Sequence, residues 1–171
     1  MGIKDCYNTA DFRQLAKKRL PAPLFHYIDG GADDEVTLRR NTEAFDNCRL
    51  IPSALADLTG MDLSVNVLGQ DIDWPVFCSP TAMSRLFHHE GECAVARTAY
   101  KHKTMYSLSS LSTTSIEEIG ASTSGPKCFQ LYIHKDRGLS WDFIERCKES
   151  DFSAMCLTVD TLVAGNREKD L

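Results

Sequence analysis

Between residues 64 and 160, short apolar runs alternate with amphipathic stretches, and no other property of the chain narrows its possible folds as much. The runs WPVFCSP (74–80), TMYSLSS (104–110), KCFQLYI (127–133) and SAMCLTVD (153–160) have the length and composition of strands. Between them, EGECAVARTAYKH (90–102), TSIEEIGAS (114–122) and RGLSWDFIERCKES (137–150) read as helices. In the last of these, Leu139, Phe143, Ile144 and Cys147 share one face, while Asp142, Glu145, Arg146 and Glu149 lie largely elsewhere. Strands alternating with such helices imply a parallel sheet with crossover connections. WPVFCSP, bounded by prolines, is expected to be a strand buried on both faces. Just ahead of it, SVNVLGQDID (64–73) is expected to form a hairpin around Gly69.

The first third reads as helical. Phe12, Leu15, Ala16 and Leu20 recur at helical spacing, and Pro21 and Pro23 break that helix and open a second through LFHYID, which Gly30 and Gly31 end. ADDEVTLRRNTEAF (32–45) reads as a third helix with acids in its first turn and arginines later, the order the helix dipole favours. The fold class is therefore α/β, with an N-terminal helical segment (1–65) ahead of about four βα units (66–171). That count fits an open sheet or the N-terminal half of a TIM (β/α)8 barrel, and half a barrel has two unpaired strand edges. The last apolar run, Ala154 to Val159, leads into a polar loop carrying Asp160, Arg167 and Asp170. Loops of that kind deliver a chain to its next element, so the sequence is expected to be part of a longer protein.

Composition narrows the partners. Among 171 residues, 43% apolar and 25% charged, 24 acids and 19 bases are mixed without long blocks for a net charge of −5. Nothing there forms a nucleic-acid footprint. No run approaches the roughly 20 apolar residues of a membrane helix, and MGIKDCYNTADF lacks the apolar core of a signal peptide. The expectation is a cytoplasmic protein, compatible with peripheral contact at the inner face of the plasma membrane. Seven cysteines, an odd number without C-x-x-C spacing, read as reduced core residues. His88 and His89 are neighbours with no further ligand at a metal-site spacing, so no metal is expected.

In α/β folds the segments after the strands carry the chemistry. Here they are SPTAMS (79–84), SSLSTTS (109–115), the polar pair Gln130 and Tyr132, and TVDTLVAGNR (158–167). Hydroxyls, amides and backbone groups at one rim suit a planar, heteroatom-rich ligand. Part of this has a plainer use, since Thr114 or Ser115 stands where a helix cap is needed before IEEI. Gln130 is different, because an amide inside an apolar strand needs partners.

The segments LPAPLFHYIDGGADDEVTLRRN, SPTAMSRLFHHEGE, YSLSSLSTTSIEEI, CFQLYIHKDR and LTVDTLVAGNREKD together resemble the FMN-dependent α-hydroxy-acid dehydrogenases, in order and in register from about residue 9 onward. PLFHYIDGGADDE and SRLFHHEGE are most similar to the bacterial, cytochrome-linked L-lactate dehydrogenases of that group. The resemblance implies FMN at the mouth of a TIM barrel, with the backbone of Pro80, Thr81 and Ala82 along the flavin and Ser109, Gln130 and Thr158 on its polar edge. It implies Tyr27 at the substrate carboxylate, Tyr132 at the substrate hydroxyl or carbonyl oxygen, and Arg167 adding positive charge near the bound acid. Among Leu24, Phe25 and Ile28 a tyrosine is ordinarily a core residue, and only the resemblance gives Tyr27 its role. Leu111 stands where the family often has a large side chain, tryptophan in glycolate oxidases, which leaves substrate size open and argues mildly against the oxidase subgroup.

The implied activity is FMN-dependent oxidation of a small L-2-hydroxy acid, L-lactate above all, to the 2-oxo acid; the alternatives are another FMN-barrel oxidoreductase, such as a glycolate oxidase or mandelate dehydrogenase, and a non-catalytic truncated product or interaction module. The implied electron acceptor is a cytochrome or quinone, and the complete protein is expected to be a homo-oligomer. The resemblance puts the general base, a histidine, and the phosphate-binding loops in a second half-barrel beyond these residues. His134 does not replace that base merely by being a histidine. These residues alone are therefore expected neither to hold FMN tightly nor to turn over lactate.

Overall fold

The structure, a computed structural model, describes residues 2–170. Contacts divide the chain into two compact units, Met1–Asp57 with Val163–Leu171, and Leu58–Leu162.

The first unit is helical. Asn8 caps α1 (Thr9–Arg19), its side chain accepting from the Asp11 amide at 2.9 Å. Pro21 then precedes α2 (Ala22–Asp29), with Pro23 in the first turn, where a missing N–H costs nothing. The third helix, α3 (Val36–Asp46), starts four residues later than its acidic prefix suggests. Asp33 and Glu35 take left-handed φ values of 47° and 57°, so the acids precede the helix instead of forming its first turn. Glu35 accepts there from the Gly31 amide at 3.0 Å and from Lys169 Nζ at 2.6 Å. The closing segment also belongs to this unit. Asn166 donates to Asp33 Oδ1 at 3.1 Å, and its carbonyl accepts from the Asp33 amide at 2.8 Å.

The second unit opens with the expected hairpin, β1 (Val65–Val67) antiparallel to β2 (Gln70–Ile72). Its turn residues Leu68 and Gly69 both have positive φ, the geometry that matches strand twist in a two-residue hairpin. Four parallel strands follow in chain order, β3 (Cys78–Thr81), β4 (Tyr106–Ser109), β5 (Lys127–Leu131) and β6 (Ala154–Leu157). The helices α4 (Gly91–Lys101), α5 (Ile116–Ser122) and α6 (Arg137–Glu149) connect them. Ser115 caps α5 in a reciprocal pair with Glu118.

Alternation along the two central strands sorts their side chains. Tyr106, Leu108, Phe129 and Leu131 pack with Ala96, Ile119 and Cys147 in the core beneath the helices. Ser107, Ser109, Cys128 and Gln130 therefore line the opposite face. At the start of the strands that face is sealed by the hairpin, with Ile72, Met105 and Cys128 packed against Val65, Val67 and Ala154.

The expectation of a doubly buried first strand is corrected. Trp74, Val76 and Phe77 are exposed and outside the strand, and β3 itself is only half-buried. Among the described residues it stands at one end of the sheet. At the other edge, Leu157 is 49% exposed. Two cysteines depart from the core assignment, since Cys48 and Cys156 are exposed. Burial raises the thiol pKa of Cys78 and Cys128 and pushes Cys147 up to about 12, so these sulfurs stay protonated and unreactive.

Candidate active site

Three of the polar residues singled out in the sequence form one connected row. Ser109, at the end of β4, donates its hydroxyl to Gln130 Oε1 at 3.0 Å, and Gln130 Nε2 donates to Thr158 Oγ1 at 2.7 Å. Ser110 N bridges both oxygens of Gln130, at 3.0 Å to the carbonyl and 3.3 Å to Oε1. Register explains the alignment. Ser109 pairs with Gln130 across the ladder, and Thr158, one residue past β6, donates its amide to the Leu131 carbonyl at 3.1 Å. Gln130 is 5% exposed. Its second amide hydrogen and the Thr158 hydroxyl hydrogen have no hydrogen bond among the described residues, which leaves two donors for a ligand.

A carboxylate not identified from the sequence organises the neighbouring loops. Glu92, in the first turn of α4, is 0% exposed. Its Oε1 accepts from the amides of Ser84 at 3.0 Å and Thr113 at 2.8 Å, and its Oε2 from the hydroxyls of Thr113 and Thr114, both at 2.7 Å. Burial opposes its charge, but the amide and hydroxyls of Thr113 and Thr114 override it and hold the carboxyl down at about 2. Because the folded-state value lies below the ordinary 4.5, this stabilisation is complete above about pH 4.5 and disappears as pH falls towards 2. Urea unfolding of the chain is expected to show a midpoint falling through that window, with a shallower fall in Glu92→Gln, since Glu117, held down at about 2 by Arg146, titrates there as well. Parallel profiles would show that another group controls acid unfolding.

The remaining candidates fall in two places. Pro80 and Thr81 end β3 and Ala82 follows them, with Thr81 exposed; Met83, next in the chain, takes a left-handed φ of 55° and donates its amide to the Leu111 carbonyl at 3.2 Å. Tyr132 lies one residue past β5, half-buried, its amide 3.4 Å from Ser110 Oγ. Tyr27 and Arg167 belong to the helical unit and meet there. The Arg167 guanidinium lies 5.3 Å from the centre of the Tyr27 ring, donates to the Tyr27 carbonyl and pairs with Asp170. Arg167 is thus tied down and half-buried, unlike a solvated tail charge. Among the described residues, no group of three or more His, Cys, Asp or Glu side chains could hold a metal ion, and no helix is long and apolar enough to cross a membrane.

The chain matches the FMN-dependent dehydrogenase family over residues 16–171. It belongs to that family. Among its relatives, glycolate oxidase 3 of Oryza sativa subsp. indica is 40% identical over 164 residues, covering 96% of this chain and 45% of the relative. Glycolate oxidase of Spinacia oleracea is 38% identical over 96% of this chain and 44% of its own length. Among solved structures, a lactate oxidase from Pediococcus acidilactici superposes with a TM-score of 0.91 at 34% identity, covering 97% of this chain and 46% of that one. A mandelate oxidase gives 0.88 at 36% identity, covering 94% and 48%. The chain thus spans about half the length of the relatives it matches, and its four-stranded sheet corresponds to the first half of their TIM barrel. The relatives named are oxidases.

The family's FMN suits the residues present. An isoalloxazine edge alternates acceptors and donors, and a carboxamide flanked by two hydroxyls at the ends of adjacent strands offers both kinds of group. Held here, the flavin would supply two-electron redox chemistry. Glu92 escaped the sequence reading because an acid in a first helical turn is ordinarily a surface residue favoured by the dipole. The available signal was SSLSTTS, whose hydroxyls outnumber what a single helix cap uses.

Proposed function

We propose that the complete protein oxidises an L-2-hydroxy acid, with L-lactate preferred, to the 2-oxo acid using FMN. The observation that carries this reading is the Ser109–Gln130–Thr158 row in a chain of this family. The row would bind the polar edge of the flavin and favour negative charge on it, with the backbone of Pro80, Thr81 and Ala82 alongside. Tyr27 and Arg167 would bind the substrate carboxylate, for which phenol and guanidinium donors are well suited, and Tyr132 the substrate oxygen. Asp170 already pairs with Arg167, so an incoming carboxylate would share or displace it. L-lactate is favoured by PLFHYIDGGADDE and SRLFHHEGE. A cytochrome or quinone is the proposed acceptor, with the protein peripheral to the inner face of the plasma membrane. Oxygen is the second reading, favoured by the relatives' names.

These residues alone are proposed to be inactive. His134 lies 5.9 Å from the Phe143 ring, which packs on the helix-side core, away from the face that carries Gln130. The sheet edges are also uncovered. A groove of about 480 Å³ beside β3 is lined by Trp74, Val76, Phe77 and Val95, and on the far side Leu157 and Val159 are exposed. A second set of βα units would cover both, and the complete protein is proposed to be a homo-oligomer.

Co-expression with the C-terminal half of a relative, followed by 2-oxo acid assays, tests this reading. The chain alone is expected to give no turnover, and the complemented protein to favour L-lactate over glycolate and L-mandelate by about tenfold in kcat/KM, or ~1.4 kcal/mol. Turnover by the chain alone would remove the claim of inactivity. A complemented protein indifferent to L-2-hydroxy acids would remove the reading. Peroxide formed in step with product would identify oxygen as the acceptor.

A further inference from the structure

Glu92 takes its four donors from two different loops, Ser84 from the segment after β3, and Thr113 and Thr114 from the segment after β4. The same loops meet again where Arg85 donates its amide to Thr113 Oγ1 at 3.0 Å and Nη1 to the Thr113 carbonyl at 3.1 Å. Gly91, which presents Glu92, has a φ of +50°, and a Cβ there would stand 2.5 Å from Arg85 Cγ. The turn is therefore closed tightly against that arginine. Glu92 has no ion pair among the described residues. A buried carboxylate without a cation depends on its hydrogen-bond donors, so its charge and the separation of the loops sustain one another.

We infer that Glu92 is a positioning residue that fastens the loop after β3 to the loop after β4, fixing the separation between Pro80–Ala82 and Ser109–Leu111. The inference rests on the flavin reading above, in which those two segments contact the same ring. Glu92 itself touches neither substrate nor flavin. It acts through Ser84 and Thr113.

Glutamine at this position is a discriminating substitution. It keeps the side-chain length and leaves one oxygen for the Ser84 and Thr113 amides, while its NH2 group faces hydroxyls that can rotate to accept. Alanine leaves all four donors without an acceptor. Thr113→Val removes one donor to Glu92, together with the acceptor of the Arg85 amide, so both ties between the loops weaken with little change of shape. Cys147→Ala perturbs the helix-side core and removes none of the hydrogen bonds that join the two loops.

The test is titration of the 171-residue chain with lumiflavin, the ring without ribityl phosphate, well below the lowest unfolding midpoint, together with amide hydrogen exchange at Met83, Ser84 and Thr113. Glu92→Gln is expected to bind within about threefold of the unsubstituted chain, and Glu92→Ala about tenfold more weakly or worse. Loop exchange should accelerate only in Glu92→Ala and Thr113→Val. Should Glu92→Ala not fold, Thr113→Val decides, with an expected loss of about threefold. Cys147→Ala should lower the unfolding midpoint without changing affinity. Unchanged affinity in both Glu92→Ala and Thr113→Val, or an equal loss in Cys147→Ala, would overturn the inference alone. An unsubstituted chain that does not bind lumiflavin would overturn the flavin reading first and the inference with it.

Discussion

Truncating Phe129 to alanine is expected to destabilise the chain by about 3–5 kcal/mol and lower its unfolding midpoint by roughly 10 °C. Phe129 is 1% exposed on the central strand β5, paired on both sides by β4 and β6. Its ring stands 5.6 Å from that of Phe143 on α6 and 6.1 Å, edge-on, from that of Phe152. The cavity left by truncation would have walls from separate elements, each held by its own hydrogen bonds, and such a site cannot collapse to refill itself. Met155, its register partner on β6, is 39% exposed, and Met155→Ala should cost only about 1 kcal/mol. Thermal unfolding followed by circular dichroism compares the two. Equal losses would mean that the helix-side core is not where the stability lies.

Gln130→Leu is expected to have a double effect, costing about 2–3 kcal/mol and abolishing measurable binding of the flavin ring. Leucine nearly conserves volume, so packing changes little. What is lost is the acceptor for the Ser109 hydroxyl and the donor to Thr158, leaving the buried Ser109 without its partner. Removing one side of a buried hydrogen bond exposes the full desolvation cost of the other, whereas replacing both by apolar groups does not. The triple substitution Ser109→Ala, Gln130→Leu, Thr158→Val should therefore recover much of the stability while still failing to bind. A Gln130→Leu chain that is more stable than the original and binds flavin normally would reduce the row to core packing.

The legibility of the fold followed the range of the interactions that produce it. Strands β4 and β5 and helices α4 to α6 lie close to where their periodicity places them, because alternating and helical burial are local patterns. The first strand was misread because burial on both faces depends on what lies beyond the sheet edge, which an apolar run does not encode. The start of α3 is displaced by Glu35, whose left-handed backbone accompanies a bond to Lys169, 134 residues away in sequence. The segment carrying Asn166 and Arg167 is the loop expected, and only its attachment to Asp33 and Tyr27, partners as distant in sequence, was hidden.

At the candidate site the same distinction separates what was visible from what was not. Gln130 stood out as an amide in an apolar strand that needed partners, and Ser109 and Thr158 supply them. Glu92 did not, because a helix-start acid has an ordinary surface explanation that only its complete burial removes. Of the two cap candidates, Ser115 caps the helix, and the Thr114 hydroxyl serves Glu92 instead.

The central claim is that the C-terminal rim of this sheet recognises a flavin ring while the phosphate is held by groups outside these residues. Isothermal titration of the 171-residue chain with lumiflavin and, separately, with FMN addresses it directly. Both should bind saturably and weakly, with Kd values within about threefold of each other, and both should be lost in Gln130→Leu. Absence of saturable lumiflavin binding, or FMN binding more than about 100-fold tighter than the bare ring, would contradict it.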